Sequence, residues 1–229
     1  MDSRNLDHFD QNCEMSHIVN QSISIDSSYD FKDLTVSNLA DCTLKISATL
    51  STLYASDLKN CTIISLPICT SIFVRNSKSC TFCVAGQQFR IHDSEKCDFY
   101  ILVTSRAIVE NCRDLRFAPY ELKIEKSTYE KAGLNLRTNF WDKVNDFDWP
   151  SKNRPSPNWR VLTANERLEF SFSLYYMHAI QNIKSNVQTP YSSENGKQIR
   201  MKFKRDMLDI SGYKNAEKNS ATSSNDFFG

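Results

Sequence analysis

Between residues 34 and 119, apolar and polar positions alternate in short bursts, and the bursts return in register. "LTVSNLADCTLKI" spans 34 to 46, "LYASDLKNCTIIS" 53 to 65, "IFVRNSKSCTFCV" 72 to 84 and "FRIHDSEKCDFYI" 89 to 101. Cys42, Cys61, Cys80 and Cys97 align across the copies, and a degenerate fifth copy, "AIVENCRDLRFAP", runs from 107 to 119. Steps of 19, 19 and 17 residues are too short for helical-hairpin repeats. Each copy holds three short β segments separated by polar corners such as SNLAD, SDLKN, NSKS and HDSEK. A unit of this size buries its apolar side only by stacking on its neighbours. The pattern predicts an all-β chain, a parallel β-helix of about five coils, with the aligned cysteines forming an interior ladder of small apolar side chains.

The same register lines up the outward positions. In "AGQQFRIHDS" (85 to 94), period-two alternation turns Gln87 inward with Ala85, Phe89 and Ile91, and turns Gln88, Arg90 and His92 outward. Thr35, Tyr54, Phe73 and Arg90 each lie seven residues before their aligned cysteine and should stack as one stripe. Ser37, Ser56, Arg75 and His92 form the next column. Outward aromatics at Tyr54 and Phe73 either support the stem of Arg90 or belong to a partner-binding patch. Arg90 itself is expected either to pair with a nearby carboxylate or to serve a function from a fixed point on a rigid surface.

The chain has 229 residues and a formal net charge of +1, which gives no clustered basic excess for nucleic acid. No apolar run is long enough for a membrane span, and the polar start carries neither a secretory signal nor a myristoylation site. Eight cysteines without such a signal read as reduced thiols. Cys80-x-x-Cys83 is the lone pair at zinc spacing, and His8, His17, His92 and His178 stand singly, so no metal site is expected. The five glycines form no phosphate-binding motif, so the chain has no nucleotide site of its own. Asp142, Asp146 and Asp148, between Trp141 and Trp149, read as a solvated cap over buried tryptophans, with Trp159 closing the same end. Residues 1–27 read as a polar tail, 28–167 as the β-helix domain, and 168–229 as a divergent tail holding one short helix and a largely disordered remainder.

From about 30 to 167 the chain resembles the tubulin-binding cofactor C family. The resemblance rests on "GQQFRIHDS", "LVTSRAIVENCRDLRFAPY", "AGLNLRTNFWDKVNDFDWP" and "SPNWRVL", in the family's order. It implies a right-handed parallel β-helix and a GTPase-activating protein whose Q-x-x-R element carries an arginine finger. Arg90 then resembles the finger, with Gln87 and Gln88 as the accompanying amides. Glu110 and Phe147 match positions that meet the GTPase. The implied partner is β-tubulin together with tubulin-folding cofactors D and E. The protein itself would be a monomer in the cytoplasm, with cytoskeletal association. GTP and Mg²⁺ would be held by the partner, and the protein would have no active site for a small substrate. Two alternatives stay open: an activator of an Arf-like small GTPase, and a non-catalytic β-helix binding module. The family's full-length members carry a helical N-terminal domain, for which residues 1–27 leave no room.

Overall fold

The structure, a computed structural model, describes residues 12–151 and 153–170. The expected helix within 168–183 and the tail beyond it lie almost wholly outside the described residues. Two seven-stranded parallel sheets face each other. One, sheet A, holds β1 (Asn12–Val19), β3 (Asp33–Ala40), β5 (Thr52–Lys59), β7 (Ser71–Arg75), β9 (Gln88–His92), β11 (Ala107–Glu110) and β13 (Val144–Asp146), in that order. The other, sheet B, holds β2 (Ser22–Ile25), β4 (Thr43–Ile46), β6 (Thr62–Ser65), β8 (Thr81–Gly86), β10 (Asp98–Val103), β12 (Leu115–Pro119) and β14 (Trp159–Val161). Successive strands alternate between the sheets up to β12, so each pair from β1/β2 to β11/β12 is one turn of a parallel β-helix. A third, narrow side is marked by single bridges linking Lys59, Lys78, Glu95 and Arg113.

Local chemistry explains the turns. Each aligned cysteine follows a residue with positive φ, Asp41, Asn60, Ser79 and Lys96, and in the last coil Asp114 takes that place ahead of Leu115. A second positive-φ residue lies three positions earlier at Asn38, Asp57, Asn76, Asp93 and Asn111. Asn and Asp tolerate the left-handed region better than other side chains. Stacked copies also bond to each other, as Asn60 to Asp41 and Asn76 to Asp57, both at 2.6 Å. Between the two bends one side chain turns inward, Leu39 and Leu58 in early coils, Ser77 and Ser94 in later ones.

The interior is largely apolar. Cys42, Cys61, Cys80, Cys97 and Cys112 are buried and free. Burial pushes the Cys83 thiol up, and bonding to Cys80 together with burial does the same for Cys61. Such thiols are poor nucleophiles and poor metal ligands. Phe82, Phe99 and Phe117 stack at 5.2 and 5.3 Å, and Trp159 closes the row edge-on against Phe117 at 5.8 Å. The three tryptophans of this end are only half-buried, because each lies at the margin of the last coil.

Two expectations change. The chain makes about six turns, one more than the five copies suggested, because residues 12–25 form a coil ahead of the first recognised copy. Gln87 faces solvent, not the interior. β8 runs to Gly86 and β9 starts at Gln88, so Gln87 alone is the corner, and side-chain parity does not carry across it.

After β12 the chain runs along the outside of sheet B. Residues Tyr120, Leu122, Tyr129, Ala132 and Leu134 bury themselves over outward-facing Ile64, Cys83, Ala85, Leu102 and Ala118, while Tyr100 on the same face is met by the Phe170 ring at 4.6 Å and accepts the Leu168 amide at 2.8 Å. Tyr120 donates its hydroxyl to the Ser65 carbonyl at 2.8 Å. Helix α1 (Lys126–Lys131) ends with Lys131 on Asp30, 2.6 Å away, four coils back. The chain then returns over the corner at Val103, where Asn139 accepts the Val103 amide, and joins sheet A as β13.

Candidate functional surface

The outer face of sheet A carries no such cover among the described residues. Register pairs Glu14 with Thr35, Thr35 with Tyr54, Tyr54 with Phe73, Phe73 with Arg90, and Arg90 with Ile108. The expected stripe is therefore present, strand by strand. The second column runs Ser37, Ser56, Arg75, His92 and Glu110. The two columns meet in a row of rings. Tyr54 and Phe73 stack at 5.0 Å with planes 10° apart, and the His92 ring follows Phe73 at 5.2 Å. His92 Nδ1 lies 3.2 Å from the Glu110 carboxylate.

Arg90 is exposed in the middle of β9, and among the described residues its guanidinium has no hydrogen-bond or ion-pair partner. Arg75, one strand earlier, is paired with Asp93 at 3.2 Å. Asp93 also accepts from Asn111 at 2.6 Å, and that bond, with Arg75 beside it, holds its carboxyl below the usual range. The ordinary fate of a surface arginine is thus met by Arg75 and not by Arg90.

The corner before Arg90 is tied on several sides. Gln87 donates its amide to the Cys69 carbonyl at 2.7 Å, and its own carbonyl accepts from Ser105. The backbone amides of Gln87 and Gln88 both reach the Thr70 carbonyl. A Cβ at Gly86 would meet Ile72 Cδ1 at 3.0 Å, so glycine permits the close approach there. The structure therefore separates the two amides: Gln87 braces the corner, and Gln88 stands free on the face beside Arg90.

Phe147 is 61% exposed at the last coil, its backbone amide donating to Val109 at 3.0 Å. The loop around it is knotted by Asp146, which accepts from Asn158 and Ser156, and by Asp148, which accepts the Asn111 amide. These carboxylates are spent on backbone N–H groups, the Asn158 side-chain amide and the Ser156 hydroxyl. Among the described residues no group of three or more His, Cys, Asp or Glu side chains converges on a common point. No helix among them is long and apolar enough to cross a membrane.

Sheet A thus brings together Arg90, Gln88, Phe73, Tyr54 and Glu110 on one face, with Phe147 at its C-terminal rim. The link that sequence reading left without a role is His92, which joins the aromatic row to Glu110. Its place in the second column was visible, but the columns were aligned separately and the diagonal contact from Phe73 was not.

Comparison with known proteins adds to this. The family model described as Tubulin binding cofactor C matches residues 31–147. Mouse tubulin-specific chaperone C is 37% identical over 139 residues, covering 59% of this chain and 40% of the relative. Tubulin-folding cofactor C of Arabidopsis thaliana is 37% identical over 138 residues, with the same shares. Mouse Protein XRP2 is 27% identical over 84 residues, covering 36% of this chain and 23% of the relative. A solved structure of Tubulin Binding Cofactor C from Leishmania major is 24% identical, with a TM-score of 0.46, over 69% of this chain and 90% of that one. The matched region spans about 40% of the length of the first of these relatives.

Proposed function

The chain belongs to the tubulin binding cofactor C family, and from that premise we propose that it stimulates hydrolysis of the GTP held by β-tubulin, within the tubulin-folding assembly that includes cofactors D and E. Arg90 is the finger it inserts. In GTP hydrolysis, negative charge spreads over the transferring phosphoryl group, and an arginine supplied in trans accelerates the reaction by about 10³ to 10⁵. That is roughly 4 to 7 kcal/mol of transition-state stabilisation. The guanidinium stays charged and bridges two oxygens, whereas lysine would offer a point charge without the fork.

One observation carries the reading: Arg90 stands exposed and unpaired among the described residues, while its neighbour Arg75 is paired. Its backbone is part of a parallel ladder on both sides, and the preceding corner is braced through Gln87. A rigid stem matters because a misplaced donor forfeits much of the gain. Gln88 is placed to hold the guanidinium's orientation or a phosphate-side group. Tyr54, Phe73, Glu110 and Phe147 supply contact surface around it. Nucleotide and Mg²⁺ belong to the partner, and the protein works as a monomer on that complex.

The test is phosphate release from GTP-tubulin with cofactors D and E, comparing the unaltered chain with Arg90→Ala and Arg90→Lys. Both variants should lose the stimulation while keeping the same melting temperature. A parallel reaction with an Arf-like GTPase separates partners: stimulation there alone would move the activity to that GTPase. Stimulation that survives Arg90→Ala would overturn the finger.

A further inference from the structure

We propose that His92 is a positioning residue that keeps the finger unpaired by holding Glu110 away from it. This rests on the reading of Arg90 as the finger. Arg90 and His92 leave the same face of β9, two residues apart, and Ile108 and Glu110 leave the same face of β11 opposite them. Glu110 is therefore the diagonal neighbour of Arg90. With about 3.3 Å per residue and about 4.8 Å between strands, the diagonal is about 8 Å between backbones. Two long side chains close that gap readily.

Left alone, Glu110 is the carboxylate that Arg90 would find. The structure shows it engaged elsewhere, with its Oε2 3.2 Å from His92 Nδ1. The imidazole is itself held from the other side by the Phe73 ring at 5.2 Å, and Phe73 by Tyr54 at 5.0 Å. The aromatic row thus has a purpose inside the protein: it fixes the ring that fixes the carboxylate. Other acids nearby are committed as well. Asp93 is bound by Arg75 and Asn111, Asp146 by Ser156 and Asn158, and Asp148 by the Asn111 amide. A guanidinium already bonded to a carboxylate would have to break that bond before meeting a phosphate.

The experiment uses the full chain and two independent readouts. The first is the NMR signal of the Arg90 Nε–H group in the free protein, where its heteronuclear NOE reports ordering. His92→Leu should convert Arg90 from mobile to ordered, and adding Glu110→Gln should return it to mobile. The second readout is stimulated GTP hydrolysis. His92→Leu should lower it by about two- to fivefold, the population cost of breaking an exposed ion pair. His92→Gln, which still offers an N–H to Glu110, should restore most of the loss. In a Glu110→Gln background, His92→Leu should have no further effect on the rate, since the captor is gone. An Arg90 signal unmoved by His92→Leu would overturn the proposal, as would a rate loss of equal size in the Glu110→Gln background. If Arg90→Ala leaves hydrolysis untouched, the finger reading fails, and the NMR arm still decides whether His92 guards the guanidinium.

Discussion

On sheet B the outward residues Ile64, Cys83, Ala85, Leu102 and Ala118 are buried, roofed by the segment from Tyr120 to Leu134, and Tyr100 is covered by Leu168 and Phe170. On sheet A the outward Tyr54, Phe73 and Ile108 stay half-exposed, and Arg90 stands clear of them. Both faces come from the same coils, so the difference lies in the chain beyond the repeat. The chain lays more than ten residues over one side and leaves apolar rings open on the other, which is the contrast the proposed role of sheet A rests on. Contact surfaces are enriched in aromatics and arginine. The residues of sheet A hold each other in place without being sealed.

The comparison breaks first at Arg90. Its replacement by alanine should cost about 10³-fold or more in stimulated hydrolysis and almost nothing in stability, because no described side chain depends on it. The reverse holds in the interior. Phe99 is fully buried, stacked between Phe82 and Phe117 and met edge-on by Phe89. Phe99→Ala should destabilise the fold by about 3–5 kcal/mol. Phe73→Ala, the same change on the outer face, should cost about 1 kcal/mol or less. Thermal or urea unfolding of the two variants side by side measures this directly. Equal losses would mean that the ring row is part of the fold's core and not a contact surface.

The roof over sheet B sharpens the contrast at a smaller scale. Tyr120 is buried with its hydroxyl on the Ser65 carbonyl, and burial holds its pKa well above the ordinary tyrosine value. Tyr120→Phe keeps the ring and deletes the bond, which should lower stability by about 1–2 kcal/mol. Stimulated hydrolysis should be unchanged at temperatures where the variant is folded. A drop in rate without a drop in melting temperature would show that the two faces are coupled.

Much of this was legible in the sequence, for physical reasons that also explain the failures. Coils built on a fixed step place like residues in columns, so the stripe from Thr35 to Arg90 could be read without coordinates. The first coil escaped because Gln21 stands where the next four coils have Cys42, Cys61, Cys80 and Cys97. Its left-handed bends at His17 and Asn20 keep the same spacing to Gln21 as later bends keep to their cysteines, so aligning bend residues would have found it. Gln87 was misread because alternation was carried through a corner; the shortened step from Cys80 to Cys97 was the sign that one existed. The roof over sheet B was not visible as such, since it carries no repeat and its burial depends on tertiary contact alone. The unpaired state of Arg90 and the grip of His92 on Glu110 are side-chain choices among several partners, which column alignment does not resolve.

The smallest expected effect concerns the closing segment beyond the last coil. Glu166 is bound by Arg160 through two hydrogen bonds, at 2.6 and 2.9 Å, and accepts the Thr163 amide and hydroxyl at 2.9 Å. The Arg160 bonds first, then those from Thr163, hold its carboxyl down to about 2. A carboxylate whose folded pKa is depressed contributes stability above its unfolded value, near about 4.3, and loses it as pH falls through the folded value. The contribution of this clamp should therefore be intact at pH 6, decline below about 4, and vanish near 2. Glu166→Gln should unfold at a pH-independent offset from the parent above about pH 5 and converge with it toward pH 2. The group is exposed, so the offset should be small and should shrink further with added salt. Because the clamp sits beside β14 on the roofed side, the same substitution should leave Arg90-dependent hydrolysis untouched. A change in that rate at neutral pH would place the C-terminal segment in contact with the partner and extend the contact face beyond sheet A.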